Sequence, residues 1–133
     1  MANNWDARIK LLYPADEGTF FSADTVKHNS PFVVVANVEV GQDLHGVTDD
    51  HTLLVWVRNL SRSTTIANGT FAEKLPPARD EFRAELRVPI PAGWGTKAAP
   101  GDVLEVVASY NVQAGIHTDD SLATSEMFQV TKD

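Results

Sequence analysis

Apolar and polar residues alternate with a period of two through most of the chain. In EFRAELRVPI (81–90), Phe82, Ala84, Leu86, Val88 and Ile90 fall on one side and Arg83, Glu85 and Arg87 on the other, the signature of a strand with one wet face. PFVVVANVEVG (31–41) groups Phe32, Val34, Ala36, Val38 and Val40, and DVLEVVASYNV (102–112) aligns Leu104, Val106, Ala108, Tyr110 and Val112. TLLVWVRNL (52–60) begins apolar on both faces, as a central strand does, and is rich in β-formers; its Trp56 is expected in the core. SLATSEMFQVT (121–131) is less regular: Leu122, Phe128 and Val130 share a parity with Glu126, so a bulge or frayed middle is expected.

Two further segments complete the set. ARIKLLY (7–13) alternates as a strand, although Asp6 could instead cap a short helix over 7–12. STTIANGTF (63–71) is β-branched enough for an edge strand, and TFFSA (19–23) could pair briefly along an edge. Thr70–Glu73 matches a capping box, with room for one helical turn before Pro76 and Pro77. Turn signals at Pro14, Gly18, Pro31, Gly41, LPPARD, PIPAGWGTKAAPGD and Gly115 fall where the strands should stop. About seven short strands with both faces in use predict an all-β fold, an antiparallel immunoglobulin-like β-sandwich, and 133 residues make one domain, 1–133.

The chain resembles the bacterial immunoglobulin-like and fibronectin-III-like domains over roughly 7–131. The resemblance is carried by FRAELRVPIPAGWGTKAAPGDVLEVVASYNVQAG followed by LATSEMFQVT: a strand, a Pro/Gly loop, Pro-Gly-Asp opening the next strand, then a closing strand ending in Phe-x-Val. Trp56 stands where an immunoglobulin core tryptophan would. No cysteine pair flanks it, and Tyr110 lies too deep in its strand for a tyrosine corner. Such folds host many unrelated functions, so the resemblance implies a scaffold and not an activity.

Composition narrows the chemistry. With no cysteine there is no disulfide, thiolate site or cysteine nucleophile. A net charge of −7 disfavours nucleic acid, whose phosphates it would repel. The N-terminus shows no basic segment followed by a sustained apolar run, and no stretch reaches the roughly 18 apolar residues of a membrane span. The expectation is a cytoplasmic protein, one exported without a cleaved signal, or a piece of something longer. Neither a Gly-x-Ser-x-Gly elbow nor a glycine-rich phosphate cradle is present, so a non-catalytic role is expected.

Two near-mirrored stretches hold the remaining chemistry: GVTDDHT (46–52) and IHTDDSL (116–122). If 42–51 and 114–120 are the loops joining the second to the third and the last two strands of an immunoglobulin topology, they emerge at the same end. Histidines 45, 51 and 117 would then gather with Asp43, Asp49, Asp50, Asp119 and Asp120. Asp49, Asp50, His51, His117, Asp119 and Asp120 are accordingly the candidate metal ligands, for Ca²⁺ through carboxylate oxygens or Zn²⁺ through imidazole nitrogens. The favoured reading is plainer: Thr-Asp-Asp is good turn chemistry, because Asp side chains bond nearby backbone N–H groups.

Trp94, between two glycines, is a candidate ligand-binding tip for a carbohydrate, against the alternative that it folds back to close the sandwich end. Asn59-Leu-Ser and Asn68-Gly-Thr match the glycosylation sequon but, with no secretory signal visible, are read as chance matches, and His28, in a plain loop, is given no role. The expected function is a binding or assembly module with a protein partner or a second copy, through an edge strand (7–13 or 63–71) or through Val33, Val35, Val103 and Val107 on the outer sheet face, which form an apolar patch unless the protein's own long loops or another layer cover them. The alternatives are a metal- or carbohydrate-binding module that uses its end loops.

Overall fold

The computed structural model describes residues 5–19 and 21–132. In chain order the elements are β1 (Ala7–Asp16), β2 (Thr25–Lys27), β3 (Phe32–Val40), one helical turn α1 (Gln42–His45), β4 (Asp50–Asn59), β5 (Thr64–Lys74) and β6 (Phe82–Ile90). A 3₁₀ turn (Trp94–Lys97), β7 (Val103–Ala114), β8 (His117–Thr124) and β9 (Phe128–Thr131) follow. One sheet has the order β1-β3-β6; the other runs β2-β9-β7-β4-β5, with β8 also paired to β7. All pairings are antiparallel except β2 with β9. The two sheets stack as a β-sandwich.

The period-two pattern is realised directly. Leu104, Val106, Ala108, Tyr110 and Val112 of β7 face Phe32, Val34, Ala36, Val38 and Val40 of β3 within one core cluster. Among the described residues nine strands replace the expected seven, for two reasons. Three residues of β2 add a parallel partner for β9, and the irregular closing segment breaks at 125–127 into β8 and β9. The break is held by Ser125, whose Oγ accepts from the Val106 N–H and donates to the Glu126 carbonyl.

Residues 7–12 form the strand that their alternation predicts and not the competing helix. Several expectations are corrected. Thr70–Glu73 lie inside β5, so no capping box forms. Trp56 is only half-buried, because Leu53, Val55 and Val57 take the core side of β4 and leave Leu54 and Trp56 on the outer face. Of the two alternatives for Val33 and Val35, the covered one holds: both are buried. Val35 sits between Tyr13 and Arg87 in the sheet register, and Arg87 Nη2 donates to the Thr19 carbonyl at 2.6 Å, drawing Thr19 toward this face. Among the described residues Ser22 bridges Ala15, close to the brief edge pairing expected over 19–23. Val103 and Val107, on the other sheet, are half-buried.

β1 also closes a seam against β8. The Ala7 N–H donates to Asp119 Oδ2 at 2.6 Å and the Ile9 N–H to Ser121 Oγ at 3.1 Å. Side chains thus serve as the acceptors along this margin, before β1 bulges between Ile9 and Leu11 and joins β3.

Candidate functional site

The end of the sandwich that carries both Asp-Asp stretches is built from α1, the segment leading into β4, and the β7–β8 hairpin. Gly41 opens α1, and Thr48 is buried with its hydroxyl 2.9 Å from the Leu75 carbonyl, which pins the approach to β4. The hairpin turns on two residues, Gly115 and Ile116. Gly115 has φ 62°, the left-handed conformation that a two-residue turn demands at its first central position. The Asp49 N–H donates to the Gln113 carbonyl, and Asp49 Oδ2 accepts the Gly115 N–H at 2.7 Å. The two stretches therefore do emerge side by side.

They do not form a metal centre. Asp49 is used on Gly115; Asp50 faces Lys74 Nζ at 4.0 Å. Asp119 is spent on the Ala7 N–H, and Asp120 Oδ1 accepts from Asn111 Nδ2 at 2.5 Å. His51 lies inside the core and His117 is exposed. Among the described residues, no three His, Asp or Glu side chains are placed to hold one ion. The geometric reason is that the loops are shorter than expected. Asp50 and His51 belong to β4 and His117, Asp119 and Asp120 to β8, so successive side chains point to opposite faces.

The histidines build a different feature. His51 Nδ1 lies 2.7 Å from the Tyr110 hydroxyl, with the Phe71, Phe82 and Tyr110 rings packed edge-on around the imidazole. His45 also meets Phe82, its ring tilted at 58° with centroids 5.3 Å apart, and its Nδ1 lies 2.7 Å from the Asp80 carbonyl. Burial raises the Tyr110 pKa, so the phenol stays neutral beside the imidazole. Burial also holds the His51 pKa below its ordinary 6.5, against the opposing pull of Glu73 and Asp50. No sequence signal marked these two histidines as core, because their aromatic partners arrive from β5, β6 and β7.

Around this end the surface is apolar with an acidic rim. A pocket of about 250 Å³ is lined by Trp5, Leu44, Val47, Ala114, His117, Thr118 and Asp119. Trp5 is 59% exposed, Val47 52%, and Ile116, at the adjoining hairpin tip, 98%. Asp43, Asp49 and Asp120 are exposed nearby on the elements that carry these tips. Hairpin turns ordinarily carry polar residues; an isoleucine fully in water at such a tip gains nothing from folding.

The opposite end corrects the other candidate. Trp94 is 3% exposed: its Nε1–H donates to the Ser30 carbonyl at 3.0 Å, and the ring meets Phe32 and His28 edge-on. It closes the sandwich and presents no face to a sugar. Asn29, at φ 59°, accepts the Gly93 and Gly95 N–H groups on its Oδ1, and His28 Nε2 lies within 2.9 Å of the Gly95 and Ala98 carbonyls. His28 is thus a fastener for the Trp94 loop. Asn59 is fully buried, donating to the Lys97 carbonyl and to Asp102 Oδ2, so the sequon there is sealed in the fold.

These features define an all-β sandwich of the immunoglobulin-like kind. No family model matches the chain, and no curated protein sequence does. Among solved structures it is similar to a bacterial adhesin from Mobiluncus mulieris that contains intramolecular disulfide, isopeptide and ester bond cross-links. The TM-score is 0.53 at 10% identity, covering 96% of this chain and 58% of that one. A glycosyl hydrolase family 2 member from Bacteroides cellulosilyticus is similar at TM-score 0.48 and 10% identity, over 89% of this chain and 15% of that one. A β-glucuronidase of the same family is similar at TM-score 0.48 and 11% identity, over 89% and 12%. The chain thus spans just over half of the adhesin and a small part of the hydrolases. At such identity the likeness is one of fold alone.

Proposed function

We propose that this domain is a non-catalytic binding module that engages a protein partner through the loop end described above. The observation that carries the reading is the exposure of Trp5 and Val47 in the lining of one pocket, and of Ile116 next to its lining residue His117, on a framework tied together by Asp49, Thr48 and Asp119. Apolar anchors over a recess with a polar rim are the anatomy of a protein interface core. Preorganisation supports the same reading: the hairpin and the β4 approach are hydrogen-bonded to each other, so little ordering cost remains for binding. The adhesin likeness supplies the scaffold only.

The test is site-specific photo-crosslinking in the native host, with a benzophenone side chain in place of Val47 or Ile116 and, as control, of Glu105 on the sheet face. Adducts to one partner from positions 47 and 116 but not 105 are expected. Adducts from 105 alone, or none from 116, would overturn the assignment.

A further inference from the structure

We infer that the partner engaged at the loop end is a basic protein segment: one apolar side chain flanked by lysines or arginines. The inference rests on the loop-end reading above and adds the chemistry of the occupant. The recess of about 250 Å³ between Trp5, Leu44, Val47 and Ala114 is smaller than the roughly 300–1,000 Å³ of clefts that enclose a small-molecule ligand. It takes a single side chain, and the rest of the occupant must lie across the rim. What the rim offers therefore decides what the occupant carries on either side of its anchor.

The rim is negative well beyond what its own cations offset. The segments that build this end, 5–8, 42–51 and 114–120, hold six aspartates and one arginine, so most of the chain's net charge of −7 is gathered there. Arg8 lies 3.2 Å from Asp6, and Lys74 4.0 Å from Asp50. Among the described residues the other four, Asp43, Asp49, Asp119 and Asp120, have no Lys or Arg within ion-pair distance. The last three are held by N–H groups of Gly115, Ala7 and Asn111, bonds that orient a carboxylate but bring no positive charge to it. The neighbouring 73–80 segment, joined to this end through the Leu75 and Ala78 N–H groups, is balanced, with Lys74 and Arg79 against Glu73 and Asp80. Such a rim repels nucleic acid, anionic lipid and a second copy presenting the same end. It steers Lys and Arg into the encounter, while the anchor in the recess supplies the apolar burial.

The test titrates two synthetic peptides into the isotope-labelled domain, both with a central leucine, one surrounded by lysines and the other by glutamates. The lysine peptide should shift the NMR signals of the Val47 and Ile116 methyls and the Trp5 indole; the glutamate peptide at the same concentration should not. Asp43→Lys, at an exposed side chain, should leave the melting temperature in place and raise the dissociation constant of the lysine peptide about fivefold. Raising the salt until the screening length is about 5 Å should do the same. Glu105→Lys, the same change in net charge on the sheet face, should leave that constant within about twofold. In the partner caught by crosslinking, the segment bearing the adduct should carry Lys or Arg on both sides of it. Equal shifts from both peptides would overturn the inference, as would an Asp43→Lys effect no larger than that of Glu105→Lys. So would no shift at these three signals from the lysine peptide, or an adduct on an acidic or uncharged segment. That last result would leave the loop-end reading standing, whereas no adduct from positions 47 and 116 would remove both.

Discussion

Replacing Trp94 by alanine separates a structural ring from a ligand-binding one. The indole is almost wholly buried, packs edge-on against Phe32 with centroids 6.0 Å apart, and donates to the Ser30 carbonyl. Removing a buried tryptophan costs about 3–5 kcal/mol, the sum of lost transfer energy and a cavity that relaxes only in part. Relaxation should be small here, because Asn29 and His28 hold the 93–98 backbone from the other side. For 133 residues the unfolding entropy is about 0.28 kcal/mol per kelvin, so the melting temperature should fall by roughly 11–18 °C. Differential scanning calorimetry on Trp94→Ala, with Trp94→Phe for comparison, reads this directly. Phenylalanine restores much of the volume but not the N–H, and should recover more than half of the loss. A fall of under about 4 °C for alanine would refute the reasoning, since no well-packed buried ring is lost so cheaply.

Other expectations follow from the same packing. Gly69→Ala forces a Cβ to 2.5 Å from Val88 Cγ1 and should cost about 1–3 kcal/mol, a fall of roughly 4–11 °C in calorimetry; an unchanged melting point would deny the close approach. Because burial lowers the His51 pKa in the folded chain, the unfolded chain binds the extra proton more readily. Stability from this group is complete above pH 6.5 and is lost as pH falls from there through the lowered folded value, by about 1.4 kcal/mol per unit of depression. Urea titrations across that range should show the slope in the parent and lose it in His51→Phe; an identical slope in both would place the titrating group elsewhere. Millimolar Ca²⁺ or Zn²⁺ should move the melting temperature by less than about 1 °C, because no set of ligands converges; a larger rise abolished by Asp119→Ala would restore a metal site.

How much of this was legible in the sequence depends on how far each feature depends on distant residues. Strands with one clean apolar parity, such as 82–90 and 103–112, were readable from alternation alone. The irregular 121–131 stretch announced its break through Glu126 sharing a parity with Leu122 and Phe128. Trp56 was misplaced because 52–57 is apolar in both parities, and only the pairing with β7, which opposes it to Val107, decides which side faces the core. Convergence of the two Asp-Asp stretches followed from topology. Their chemistry did not, since the acceptor role of Asp119 needs β1 alongside β8, 112 residues away. The Gly-Trp-Gly tip looked open for the same reason: its lid is Phe32, at the start of β3, and Ser30, just before it.

The most direct check is a methyl and indole NMR titration of the isotope-labelled domain with the partner recovered by crosslinking. We expect the largest shifts at the Ile116 and Val47 methyls and the Trp5 indole, with Leu54, Trp56 and Leu122 on the open sheet face unmoved. Shifts concentrated on Leu54, Trp56 and Leu122 instead would put recognition on the sheet and leave the hairpin tip without a role.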